Sequence, residues 1–249
     1  HEKGERQMKL YCIGIGPGGA EQMTLRAVRA LEACDCVAGY GLYLDLIAEL
    51  IEGKTRIQTG MTREVDRCTA ARDAAKAGHT VAVVSSGDAG VYGMAGLLLE
   101  VCADDPELEI EVIPGITAAC SGGAVLGAPL TNDFACVSLS DLLTPWEVIE
   151  KRLRGAAQGD FCIALYNPAS KKRVDHLQRA CDILLETLPA ETVCGTVRNI
   201  GRDGETYTLT MLGALRDAQV DMLTTVFVGN SRTRVINARM VTPRGYRGV

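Results

Sequence analysis

The chain has 249 residues, 47% hydrophobic and 23% charged, with a formal net charge of −5. That length holds one large domain or two modest α/β lobes, and the acidic balance gives no global attraction for nucleic acid. The longest apolar runs, such as "MLTTVFVG", are far shorter than the ~20 residues that span a bilayer, which excludes a membrane-spanning helix on sequence grounds.

Residues 1–7, before Met8, read as a disordered leader or expression remnant with no signal-peptide core. "KLYCIGIG" is predicted as a first strand, "TLRAVRALEAC" as a helix and "CVAG" as a short strand. "EVDRCTAARDAAKAG" has helical spacing with a glycine stop at Gly78. A buried strand, "TVAVVSS", leads through "GDAG" to a predicted helix, "YGMAGLLLEVCA", and "IEVIPG" is the next strand. The second half runs "FACVSLSD" as strand, then "TPWEVIEKRLRGAA" as a helix opened by Thr144 with Pro145 in its first turn. There follow strand "DFCIALYNP", helix "KRVDHLQRACDILLETL", and strands "ETVCGTVRN", "ETYTLTML" and "MLTTVFVGN" around a short helix, "LGALRDA". This alternation predicts α/β architecture in two lobes, 8–120 and 121–246.

Ten cysteines suggest a disulfide set, but their spacing does not. There is no C-x-x-C and no cysteine–histidine cluster, so they read as small buried hydrophobes in a reducing cytoplasm. The three histidines are isolated in sequence, and no metal site is expected.

"GIGPGG", from Gly14 to Gly19, fits the dinucleotide pattern G-x-G-x-x-G, with Asp35 about 20 residues on. Two features oppose a nicotinamide cofactor. Asp35 precedes the second strand instead of following it, and Pro17 has no N–H for a phosphate. The turn is either ligand-free or admits a bulky flat ligand close to the backbone.

Further glycine-rich or polar segments follow predicted strands. In Ser85–Gly90, Asp88 either caps a helix or accepts hydrogen bonds from a ligand. In Pro114–Ala118, Thr117 either caps the next helix or binds an adenine or carboxylate. Tyr166-Asn167-Pro168 and Gly195–Asn199 are the other two. Lys171, Lys172, Arg173, Arg198, Arg202, Arg232 and Arg234 gather in the second half, as solvated charge or as a rim for a small polyanion.

Taken in order, "GIGPGG", "SSGDAGVYGMAG", "PGITAA", "LYNPASK" and "GTVRNIGRDGE" resemble the class III tetrapyrrole (corrin/porphyrin) methyltransferases. "GYGLYLDLI", "FACVSLSDLLTPWEVIEKRL", "DMLTTVFVGNSRTRVI" and "MVTPRGY" resemble the branch acting on C17 of precorrin-3B or cobalt-factor III. The resemblance covers Leu10 to Tyr246. It departs at Ala89, where proline is usual, at Asn132, where histidine is common, and at Ala169, where arginine is common.

The resemblance implies the tetrapyrrole methylase fold, two α/β lobes with a cleft for S-adenosyl-L-methionine and a tetrapyrrole. It implies methyl transfer to C17 with ring contraction in cobalamin biosynthesis, or a sister methylation elsewhere on the macrocycle. S-adenosyl-L-homocysteine would be the product, and a cytoplasmic homodimer the assembly. Pro17, Gly87, Asp88, Val91, Thr117, Ala118, Tyr166, Asn167 and Thr196 would hold the cofactor. Gly16, Lys171, Lys172, Arg173 and Arg198 would meet the substrate. Asp133 and Asp141 are the acid–base candidates for ring contraction, although Asp133 also suits a turn.

Overall fold

A computed structural model describes residues 8–249; the expected leader lies outside the described residues. The chain forms two compact units, one ending at Thr117 and the other running from Ala118 to Val249. The division falls just ahead of a helix, whereas the expected boundary at 120/121 would cut that helix near its start.

The first unit alternates strand and helix: β1 (Lys9–Gly14), α1 (Leu25–Ala33), β2 (Cys36–Tyr40), α2 (Gly41–Leu46), β3 (Thr55–Thr59), α3 (Glu64–Lys76), β4 (Val81–Ser85), α4 (Ala95–Val101) and β5 (Glu109–Ile113). All five strands are parallel, in the order β3-β2-β4-β1-β5. Both faces are covered, so β4 carries no polar alternation and all five of its residues are buried. Leu10, Cys12, Val81 and Val83 point into a cluster with Cys68, Ala71 and Ala75 of α3 and Leu98 of α4. Ile13, Ala82 and Val84 face the other way, onto Ala27 and Leu31 of α1 and Leu44 of α2.

Two local signals act as expected. The Thr24 hydroxyl caps α1 by accepting from Ala27 N at 3.0 Å. Gly78, at φ +99°, ends α3 while its N–H returns to Ala75 O at 3.0 Å. The sequence gives no signal for β3, because "TRIQT" is partly exposed and carries polar residues on both sides of its single isoleucine. Helix α4 begins later than predicted: residues 88–94 form a bent segment with Tyr92 at φ +55°.

The second unit holds α5 (Ala118–Leu126), β6 (Gly127–Ala128), β7 (Phe134–Ser138), α6 (Trp146–Gln158), β8 (Cys162–Tyr166), α7 (His176–Leu184), β9 (Val193–Arg198), β10 (Thr206–Met211), α8 (Leu212–Leu215), β11 (Thr224–Val228), β12 (Arg234–Ile236) and β13 (Arg239–Val241). Its main sheet is mixed, in the order β10-β9-β11-β8-β7. Only β7 and β8 pair in parallel; β11 runs antiparallel to both β8 and β9. One face packs on α6, α7 and α8 through Ile149, Leu153, Leu177, Leu184 and Leu212. The other packs Ala164, Val197 and Phe227 against Ala119, Leu126 and Met240. The short strands β6, β12 and β13 form a separate small sheet. Thr144 does not cap α6: Pro145 takes that position with an extended ψ of 143°.

All ten cysteines are free, and most are buried. Burial pushes the thiols of Cys12, Cys34 and Cys181 up to about 12. Cys120, on α5, is exposed. Brief treatment with N-ethylmaleimide at pH 7.5 is expected to modify Cys120 first, the buried thiols reacting only after unfolding; peptide mass spectrometry reads the order.

Candidate functional site

Strand β1 lies between β4 and β5, so the turns leaving these three carboxyl ends come side by side. Glycine makes the approach possible. A Cβ on Gly14 would stand 2.7 Å from both Gly115 N and Gly87 O, and 2.9 Å from Ala89 N. Gly16 and Gly87, both at positive φ, exchange backbone hydrogen bonds of 3.0 and 2.8 Å.

Asp88 joins the turns by its side chain. Oδ1 accepts from Gly115 N at 2.9 Å and Oδ2 from Gly90 N at 2.8 Å. It is therefore not a helix cap, since α4 starts only at Ala95. The base of the bent segment is fixed by Ser85, whose buried hydroxyl accepts from Met94 N at 3.0 Å. Gly16 and Pro17 are buried, and Gly87, Asp88 and Val91 are partly so. Asp35 stands at the amino end of β2, opposite the glycine turns, where its carboxylate accepts from Thr80 N at 3.2 Å. Asp35 therefore cannot serve as the ribose acid of a dinucleotide at those turns.

In the second unit, β7, β8 and β9 run in one direction, so their carboxyl ends reach one sheet edge. Ser138 pairs with Tyr166 across that edge. The Tyr166 hydroxyl accepts from Ala119 N at 2.6 Å, which brings it to the start of α5 and so beside Ala118. Asn167, at φ +53°, donates from Nδ2 to Ser138 Oγ at 3.0 Å. Gly195 and Thr196 are not in a loop as expected. They lie within β9, where Leu126 packs so closely on Gly195 that a Cβ would meet its methyl carbons at 2.8 and 2.9 Å.

The basic residues separate. Lys171 and Lys172 are exposed, while Arg173 is partly buried with an unpartnered Nε among the described residues. Arg198 reaches the same sheet edge, but its Nε donates to Asp221 Oδ2 at 2.7 Å.

The two acid candidates also separate. Asp133 immediately precedes β7 and Asp141 lies beyond its other end, so a whole strand stands between them. Asp133 does not join the group at the carboxyl edge. Asp141 does. Its Oδ2 lies 3.0 Å from His176 Nε2, an ion-pair separation whose angles fall outside those of a hydrogen bond. His176 opens α7 almost fully buried, with Asp175 Oδ1 at 3.3 Å from Nδ1. Trp146 meets its ring edge-on at 5.1 Å, and Arg179 stacks over Trp146 at 4.1 Å. The His176 imidazole, with Arg173 further off, holds the Asp141 carboxyl below its usual range.

His176 was not selected from the sequence, where nothing local connects it to Asp141. Among the described residues no group of three or more His, Cys, Asp or Glu is placed to hold a metal, and no helix is long and apolar enough to cross a membrane.

A doubly covered parallel sheet with interlocked glycine turns in one unit, and a mixed sheet whose polar residues gather at one edge in the other, define a two-unit α/β protein. The family model described as tetrapyrrole (corrin/porphyrin) methylases matches residues 9–216, and the chain belongs to that family. It is 49% identical over 238 residues to the probable cobalt-factor III C(17)-methyltransferase of Salmonella typhimurium, covering 95% of this chain and 99% of that one. It is 40% identical over 248 residues to the precorrin-3B C(17)-methyltransferase of a Sinorhizobium species, covering 96% and 97%. The solved structure of the methyltransferase CobJ matches with a TM-score of 0.87 at 40% identity, over 94% of this chain and 99% of that one.

Proposed function

We propose that the protein transfers a methyl group from S-adenosyl-L-methionine to C17 of a tetrapyrrole, precorrin-3B or cobalt-factor III, with ring contraction in cobalamin biosynthesis. What supports this most is the chain-long likeness to relatives so named, at 49% and 40% identity. A cytoplasmic homodimer is part of the same reading.

The residues present suit the methyl donor. The glycine turns offer backbone groups with little side-chain bulk, so a flat nucleoside can approach closely. Asp88 supplies the negative charge that a sulfonium tolerates, and a Cβ on Gly90 would already press on its Oδ2 at 3.3 Å. Pro17, Gly87, Asp88, Val91, Thr117, Ala118, Tyr166, Asn167 and Thr196 would hold the donor. When bound, that donor supplies an activated methyl group, so no protein nucleophile is required.

The work left to the chain is orientation and exclusion of water, worth up to about 7–11 kcal/mol in favourable cases. Gly16 would lie against the macrocycle. Lys171, Lys172, Arg173 and Arg198 would meet its carboxylates, with Arg198 giving up Asp221 to do so. Asp141, exposed on one side and beside His176 on the other, would take or return the proton that ring contraction moves.

Incubation with S-adenosyl-L-methionine and each candidate tetrapyrrole, followed by NMR assignment of the new methyl, tests the reading. A methyl at C17 is expected. A methyl at another carbon would favour a sister methylase, and no transfer to any tetrapyrrole would end the proposal.

A further inference from the structure

Arg67, in the first turn of α3, is only 4% exposed and has no acidic partner among the described residues. Its three contacts are neutral. Nε donates to Thr59 Oγ1 at 2.8 Å, Nη2 to Gly60 O at 3.1 Å, and Nη1 to the Met94 thioether at 3.6 Å. A guanidinium has five N–H donors, so one on each Nη is left over.

Nearby acids are committed elsewhere. Glu64 accepts from Thr62 N, and Asp66 pairs with Arg63. Both oxygens of Asp88 are held by backbone amides. The start of a helix also disfavours a cation. A buried charge without a counter-ion is costly, and proteins pair such groups.

The position lies on the same carboxyl edge of the parallel sheet as the glycine turns. Thr59 ends β3 at the carboxyl edge of the parallel sheet, and Met94 closes the bent segment that Asp88 begins. The thioether is the weakest of the three acceptors and its side chain the most adaptable, so a better acceptor can displace it.

We infer that Arg67, screened by Met94, is a carboxylate-receiving subsite of the first unit that binds a carboxylate of the methyl donor or of the tetrapyrrole. The identity of those ligands rests on the proposed function; the subsite itself rests on the buried, unbalanced charge.

The test compares wild type, Arg67→Met and Arg67→Lys by calorimetry with three probes. S-adenosylhomocysteine carries the amino-acid carboxylate, 5′-methylthioadenosine lacks it, and uroporphyrin III carries acetates and propionates. Arg67→Met is expected to weaken at least one carboxylate-bearing probe about tenfold or more, with Arg67→Lys intermediate. Binding of 5′-methylthioadenosine should stay within about twofold of wild type. A loss confined to S-adenosylhomocysteine identifies the donor's carboxylate, and one confined to uroporphyrin III the macrocycle's. Parallel losses on all three probes, or none on any, would overturn the subsite in favour of a purely structural arginine.

A fourth arm keeps the two proposals separable. If wild type binds no S-adenosylhomocysteine, the donor reading fails. The subsite then stands on whether sodium acetate, at fixed ionic strength, raises the melting temperature of wild type more than that of Arg67→Met. Equal shifts would overturn it.

Discussion

Gly14→Ala is expected to destabilise the first unit by about 3 kcal/mol and to weaken S-adenosylhomocysteine binding about a hundredfold. The added methyl would meet two neighbouring turns at once, at Gly115 N, Gly87 O and Ala89 N. None of these is a side chain that can rotate away. Gly87 is held by its reciprocal bonds to Gly16, and Gly115 by Asp88. The three turns must therefore separate, and the proposed donor site separates with them. Gly19→Ala is the control, because a Cβ there meets nothing within 4 Å, and its stability should stay within about 0.5 kcal/mol of wild type. The only tryptophan, Trp146, belongs to the second unit, so its fluorescence would not follow this change. Hydrogen exchange at the amides of β1, β4 and β5 is the direct readout. A Gly14→Ala protein with wild-type protection and affinity would show that the turns are not interlocked in solution.

The glycine turns were legible because each followed an apolar run that could only be a buried strand, as with "TVAVVSS" and β4. Asp35 was separable from a dinucleotide site for the same reason: it precedes β2 whatever the strand's neighbours are. What could not be read depends on strand direction and order. Asp133 and Asp141 were both candidates from the first strand of the second lobe and its loop, and only the parallel pairing of β7 with β8 puts Asp141 at the edge bearing Tyr166 and His176. Gly195 looked like another turn glycine, yet it serves a helix–sheet contact with Leu126. Arg67 left no trace, since its partners Thr59 and Met94 lie 8 and 27 residues away in sequence. The resemblance supplied the family and the reaction; the pattern of residues supplied the strands and turns.

Asp141→Asn is expected to lower kcat by about 10²- to 10⁴-fold while leaving S-adenosylhomocysteine affinity unchanged, the range typical of a lost proton-transfer group. Asp133→Asn should change kcat less than about twofold, because Asp133 sits at the far end of β7 with no part in the carboxyl-edge group. A second signature separates proton transfer from simple support of the loop. The Asp141 carboxyl is held below its ordinary value, chiefly by His176, so it favours the folded state when ionised. That stabilisation is present above the unfolded-state pKa of about 3.9 and disappears as pH falls through the lower folded value. Asp141 is 38% exposed, so solvent screening limits the contribution to about 1 kcal/mol or less. Wild type should therefore be slightly more stable than Asp141→Asn at pH 7, and that advantage should shrink as pH is lowered below about 3.9, as measured by urea unfolding across the acid range. A kcat loss as large as predicted, alongside so small a stability difference, would assign Asp141 to chemistry. An Asn variant that turns over within about threefold of wild type would remove it from the mechanism.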